Sequence, residues 1–247
     1  MIKYYLSSLV AIALLTSPAY AAESQQAGYQ SINNKNQKAF RAYVAGPVES
    51  KQGLLLLHGW QGLNQEMEIW ANQFAVQGYR VMAIDLYNNQ VTKHPVKARK
   101  LMNSVKQQEA NDKFRAAIKL LSQNGRKIAV LGRSFGANQA FYAASVSKKD
   151  ISAVVLYYPF GDVVSSNNLL SSISVPVLGN FASKDFFFDN KQKNKFISLA
   201  RKKGINLEVE NYSARHGFSN LFSSNFNADA YKTSINKTSK FLTKYLR

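Results

Sequence analysis

Lys127-Ile128-Ala129-Val130-Leu131-Gly132-Arg133-Ser134-Phe135-Gly136-Ala137-Asn138-Gln139-Ala140 reads as a buried strand, a tight turn and the opening of a helix. Lys127 to Leu131 is apolar and β-favouring, whereas Ala137 to Ala140 is small and helix-compatible. Between them Gly132 and Gly136 stand two residues before and two after Ser134. A serine at the apex of a strand-to-helix turn sits in strained backbone, and glycines at those two positions remove the side chains that would clash. The helix N-terminus behind it favours developing negative charge. The stretch therefore marks Ser134 as a nucleophile.

Working outward, apolar strand candidates alternate with segments of helical period. The strands are Ala39 to Val44, Gly53 to Leu57, Arg80 to Ile84, Lys127 to Leu131, Ser152 to Tyr157, Val175 to Phe181 and Asn206 to Glu210. The helices are Gln65 to Gln77, Val96 to Leu121 with Pro95 at its start, Asn138 to Ser147, Lys191 to Lys203 and Ala228 to Tyr245. Leu54 to Leu57 and Val154 to Tyr157 show no in-out alternation, as expected of strands covered on both faces. The pattern predicts an α/β fold with a doubly wound, mostly parallel sheet whose ligand crevice lies at the carboxyl ends of the strands. The polar stretch Glu23 to Gln37 reads as a flexible lead-in.

Serine needs a base, and the chain has 3 histidines. His94, in Thr92-Lys93-His94-Pro95, reads as solvent-facing. His58 ends an apolar strand in His58-Gly59-Trp60-Gln61-Gly62 and reads as a residue that orients a loop. His216, after the last strand and before the C-terminal helix, is the candidate base. The acid that orients it follows the preceding strand in Ala182-Ser183-Lys184-Asp185, so that Asp185 lies 185 − 134 = 51 residues after Ser134 and 216 − 185 = 31 before His216. Its rivals are Asp162, one strand too early, and Asp189, four residues late and well placed to cap a helix. The oxyanion of an acyl-transfer intermediate requires two N–H donors, for which Phe135 and Trp60 are the candidates. Tyr87, Phe186 and Phe218 are candidates for an apolar substrate wall.

Residues 1–21 open with Lys3, run apolar from Leu6 to Leu15 and close on Ala19-Tyr20-Ala21, the small-x-small pattern of a cleaved secretory signal. The run is too short to span a membrane. Its removal leaves 247 − 21 = 226 residues, the size of one domain, and a periplasmic or secreted location is expected. The absence of cysteine excludes disulfides and thiolate metal sites. The charge of +18 falls to +17 with Lys3 gone, and it predicts nonspecific attraction to anionic surfaces rather than specific nucleic-acid recognition.

Leu57-His58-Gly59-Trp60-Gln61-Gly62-Leu63-Asn64, Gly78 to Tyr87 ending in Asp85-Leu86-Tyr87, Gly132 to Gly136, Asp185 and Arg215-His216-Gly217-Phe218 together resemble the dienelactone hydrolase family of α/β-hydrolases. The resemblance covers most of the mature chain. It implies a Ser134, His216, Asp185 triad with Phe135 and Trp60 amides as oxyanion hole, and a carboxylic ester or lactone as small-molecule substrate, with no metal or cofactor. Three departures bear on the substrate. The family's name-giving enzymes use cysteine where this chain has Ser134, a glutamate where it has Gly59, and an arginine where it has Asn220. Simple esters or lactones are therefore expected in place of dienelactone. The alternatives are a peptidase or amidase of the same fold, and a non-catalytic protein that binds anionic polymers.

Overall fold

In the computed structural model, residues 27–34, 37–161 and 163–247 are described, so the signal-like segment and Asp162 lie outside the described residues. Eight strands, β1 (Gly28–Asn34), β2 (Gln37–Ala45), β3 (Gln52–Leu57), β4 (Arg80–Ile84), β5 (Lys127–Arg133), β6 (Ile151–Tyr157), β7 (Val177–Ala182) and β8 (Leu207–Tyr212), form one sheet in the order β1-β2-β4-β3-β5-β6-β7-β8. The β1/β2 and β2/β4 pairings are antiparallel, and every pairing from β4 to β8 is parallel.

Helices cover both faces: α1 (Gln65–Ala75), α2 (Pro95–Ser104), α3 (Gln107–Leu121), α4 (Phe135–Val146), the single turn α5 (Asn167–Leu170), α6 (Asn190–Lys202) and α7 (Ala228–Leu246). On β3, Leu54 and Leu56 pack with Trp70 of α1 and Phe241 of α7. Leu55 and Leu57 pack on the opposite face with Phe114 of α3, Phe141 of α4 and Phe196 of α6. Successive strand residues point to opposite faces, so two apolar layers demand an unbroken apolar run.

Two expectations need correction. The polar lead-in contains β1, an edge strand whose buried residue is Ile32 and which is held by backbone pairing to β2. The long helix expected over Val96 to Leu121 is two helices, because Val105 is extended (φ −69°, ψ 112°) between α2 and α3.

Candidate active site

The parallel strands deliver their functional residues to one edge. His58 follows β3, Asp85 follows β4, Ser134 follows β5, Asp185 follows β7 and His216 follows β8. Ser134 has φ 52° and ψ −117°, a strained conformation for a non-glycine residue. The geometry explains both flanking glycines. A Cβ on Gly132 would come within 1.9 Å of the Gly136 carbonyl oxygen, and one on Gly136 within 2.2 Å of the Leu57 carbonyl oxygen. The helix thus starts at Phe135, three residues before the expected Asn138, packed directly against the end of β3.

Ser134 Oγ lies 2.8 Å from His216 Nε2, and His216 Nδ1 lies 2.8 Å from Asp185 Oδ2. The carboxylate accepts at Nδ1, so Nδ1 carries the proton and Nε2 is left to accept from the serine hydroxyl. Asp185 is itself fixed, because Oδ1 accepts from the Phe187 and Phe188 N–H groups at 2.8 and 3.1 Å. The His216 ring stands edge-on between Tyr158 and Phe187, each with its centroid 5.0 Å away. Asn225 donates to the His216 carbonyl at 3.0 Å and ties the loop that carries it.

His58 is fully buried away from this relay. Its Nδ1 donates to the Gly59 carbonyl at 2.7 Å, and its Nε2 accepts from the Leu86 N–H at 3.1 Å. Those partners define a neutral Nδ1–H tautomer, and burial holds the imidazole below the ordinary histidine range. The Gly59 carbonyl also accepts from the Gly62 N–H, so the first loop is pinned beside Ser134. The N–H groups of Trp60 and Phe135, by contrast, have no acceptor among the described residues. His94 is exposed ahead of α2, and Asp189 caps α6 through the Gln192 N–H at 2.8 Å.

A cavity of about 460 Å³ opens above Ser134 and His216, walled by Trp60, Met67, Met102, Phe160 and Phe187. Of the three expected wall residues, none lines it. Tyr87 is buried with its ring on His58 at 4.6 Å, and Phe218 is packed against Tyr158 and Tyr212. Phe186 turns outward at 89% exposure while Phe187, its neighbour, turns in. The bend that folds the Phe187 and Phe188 N–H groups back onto Asp185 sends the two rings different ways, and sequence order alone does not say which faces the site. Asn220 lines the cavity, and its side chain accepts from the Phe222 N–H at 2.9 Å.

The cavity lining also holds an ion pair that the sequence did not indicate. Arg133 and Glu66, both buried, bond directly, and the Arg133 Nε and Nη2 donate to Tyr158 Oη at 3.1 and 2.9 Å. Tyr158 Oη bonds Ser219 Oγ at 2.6 Å, and the guanidinium lies 4.4 Å over the Trp70 ring. Burial disfavours the Arg133 cation, but the Glu66 carboxylate outweighs it and raises its pKa above the ordinary arginine value. Burial pushes the Glu66 carboxyl upward against the pull of Arg133. A guanidinium does not deprotonate in a protein, so the pair is read as ionic. The one signal in the sequence was Arg133 itself, a charge at the end of an apolar strand and next to Ser134.

A serine on a strained strand-to-helix turn, at the carboxyl edge of a doubly wound sheet and facing a histidine–carboxylate pair from later strand ends, defines an α/β-hydrolase. The sequence model of the dienelactone hydrolase family matches residues 40–246, and the chain belongs to that family. It is 27% identical over 198 residues to "Protein usf" of Aquifex pyrophilus, covering 75% of this chain and 84% of that one. It is 26% identical over the same length to the "Putative carboxymethylenebutenolidase" of Aquifex aeolicus, with the same coverage. The dienelactone hydrolase-like promiscuous phosphotriesterase P91 from metagenomic libraries superposes with a TM-score of 0.79 at 15% identity, covering 91% of this chain and all of that one.

Proposed function

We propose that the protein is an exported serine hydrolase that cleaves carboxylic esters or lactones through an acyl-enzyme on Ser134. The observation that carries this reading is the continuous relay from Ser134 Oγ through His216 to Asp185, two contacts of 2.8 Å, at the floor of a largely apolar cavity. His216 Nε2 takes the hydroxyl proton as Oγ attacks the carbonyl carbon. The oxyanion is met by the Phe135 and Trp60 N–H groups, which have no acceptor among the described residues to release first. The imidazolium then protonates the leaving alkoxide. Water, activated by the same nitrogen, releases the acid and regenerates the serine. Asp185 keeps Nδ1 protonated and stabilises the charged ring throughout. A wall of Met67, Met102, Phe160 and Phe187 favours an apolar acyl or alkyl group. Export rests on the signal-like residues 1–21.

The test is single-turnover acylation by a short p-nitrophenyl ester together with a fluorophosphonate probe, the label being located by mass. Label on Ser134, lost in Ser134→Ala, is expected; a folded wild type that takes no label refutes the reading. Ester turnover should exceed that of the matching anilide. The reverse order would favour an amidase.

A further inference from the structure

We infer that the rim of the cavity is a docking surface for an anionic lipid bilayer. Ten large apolar side chains stand exposed among the described residues; two of them line this one opening and four more are chain neighbours of residues that line it. Trp60 and Phe187 line the cavity and are also exposed. Phe186 adjoins Phe187, and Val96, 73% exposed, adjoins the lining residue Pro95. Phe222 and Phe226 bracket the lining residues Ser223 to Asn225. Scattered apolar residues on a surface are ordinary, whereas a cluster around a functional opening marks an interaction site.

The same rim is cationic. Lys93, Lys97, Arg99 and Lys100 are exposed on or just before α2, and none pairs with a carboxylate among the described residues. Lys97 lies in the first turn of that helix, where the helix dipole disfavours a cation and no acid offsets it. Within the protein alone, this arrangement costs stability, and an external anion relieves it. α2 buries only Ala98 and Leu101 and lends Pro95, Arg99 and Met102 to the cavity lining, so it borders the opening with Lys97 and Lys100 exposed.

Aromatic rings and a valine beside unpaired lysines match the interface of an anionic bilayer, where rings sit at headgroup depth and cations meet the surface charge. A second copy of this chain is a poorer partner, because a symmetric contact would set these cations against one another. A soluble polyanion would leave the apolar side chains unused. On the ester reading of the site, on which this last step rests, docking presents the cavity to acyl esters held in the lipid surface.

The test is co-sedimentation with phosphatidylcholine vesicles, with and without one third phosphatidylglycerol, at low and high salt. The protein should bind the phosphatidylglycerol vesicles selectively and release with salt. Lys97→Gln/Lys100→Gln should lower the partition coefficient about 30-fold, and Val96→Ser/Phe222→Ser about tenfold. Both variants should keep the thermal unfolding of the wild type. Ser134→Ala should bind like the wild type, so the outcome is independent of whether Ser134 is the nucleophile. No selective binding, or binding that neither pair of substitutions weakens, overturns the inference. So does a dimer, measured by sedimentation, that Val96→Ser/Phe222→Ser dissociates, since the rim is then a contact between copies.

Discussion

Replacing Glu66 by Gln keeps the side chain's shape and removes its charge, leaving the Arg133 guanidinium in the interior without an anion. Arg133 is 3% exposed and Glu66 5%, so water from the cavity they line replaces little of the lost interaction. The remaining partners of the guanidinium, the Tyr158 hydroxyl, the Met67 sulfur and the Trp70 ring, are neutral. Removing one member of such a pair costs about 3–5 kcal/mol. With an m value of roughly 2 kcal/mol per molar urea, the unfolding midpoint should fall by about 2 M. Arg133→Met alone should cost about as much, since it strands the carboxylate. The double variant Glu66→Gln/Arg133→Met restores neutrality, and Met fills much of the space over Trp70. Its cost should stay below about 2 kcal/mol, far short of the sum. Urea unfolding followed by tryptophan fluorescence measures all three. If Glu66→Gln costs less than about 1 kcal/mol, or the two single costs simply add in the double, the pair is not the isolated ionic contact described above.

Three further outcomes follow from the geometry. Gly132→Ala puts a methyl 1.9 Å from the Gly136 carbonyl, so the turn must open; stability should drop by about 3 kcal/mol and Ser134 labelling about 100-fold, whereas unchanged labelling would show that the elbow has slack. His58 is held neutral by burial, below the ordinary value of about 6.5, so as pH falls past that value the unfolded chain binds the proton first. Stability is therefore lost toward acid, by up to about 1.4 kcal/mol per pH unit; a urea series from pH 7 to 5 should lose this component in His58→Gln, and an identical slope in the variant would remove His58 as its source. Tyr87→Phe deletes a buried hydroxyl that has no hydrogen-bond partner among the described residues, so stability should hold or rise by about 1 kcal/mol, and a loss above that would reveal a partner.

The central strands were legible because each is apolar on both faces: Leu54 to Leu57 and Val154 to Tyr157 have no other use in a chain of this size. The edge was not. β1 reads Gly28-Tyr29-Gln30-Ser31-Ile32-Asn33-Asn34 and is specified by the backbone of β2, which leaves no apolar period to find. The break between α2 and α3 falls at Val105-Lys106, where neither proline nor glycine punctuates the sequence. At the site, chain order and strand ends sufficed to name Ser134, Asp185 and His216, which the fold brings into hydrogen-bond range. The wall residues depended on side-chain direction, and that is set by packing: Tyr87 is drawn onto His58 and Phe218 into the core, while Phe187 rather than Phe186 turns inward. The Glu66–Arg133 contact joins residues 133 − 66 = 67 positions apart on different elements, a distance over which no local pattern operates.

The proposed nucleophile and its base are carried by parts of the sheet with very different cover. Ser134 sits at the end of β5, a strand flanked by β3 and β6 and itself buried from Ile128 to Arg133. His216 hangs from β8, the edge strand, whose residues Leu207 to Glu210 are only half-buried and whose one neighbouring strand is β7. Outer elements of this kind open locally at a lower free energy than the core. On the proposed mechanism, opening of this border parts His216 from Ser134 before the core gives way. Warming should silence the protein while most of the fold still stands, and cooling should revive it without refolding. Cross-linking or tightening β8 against α7 would lengthen its working life more than any repair made in the interior.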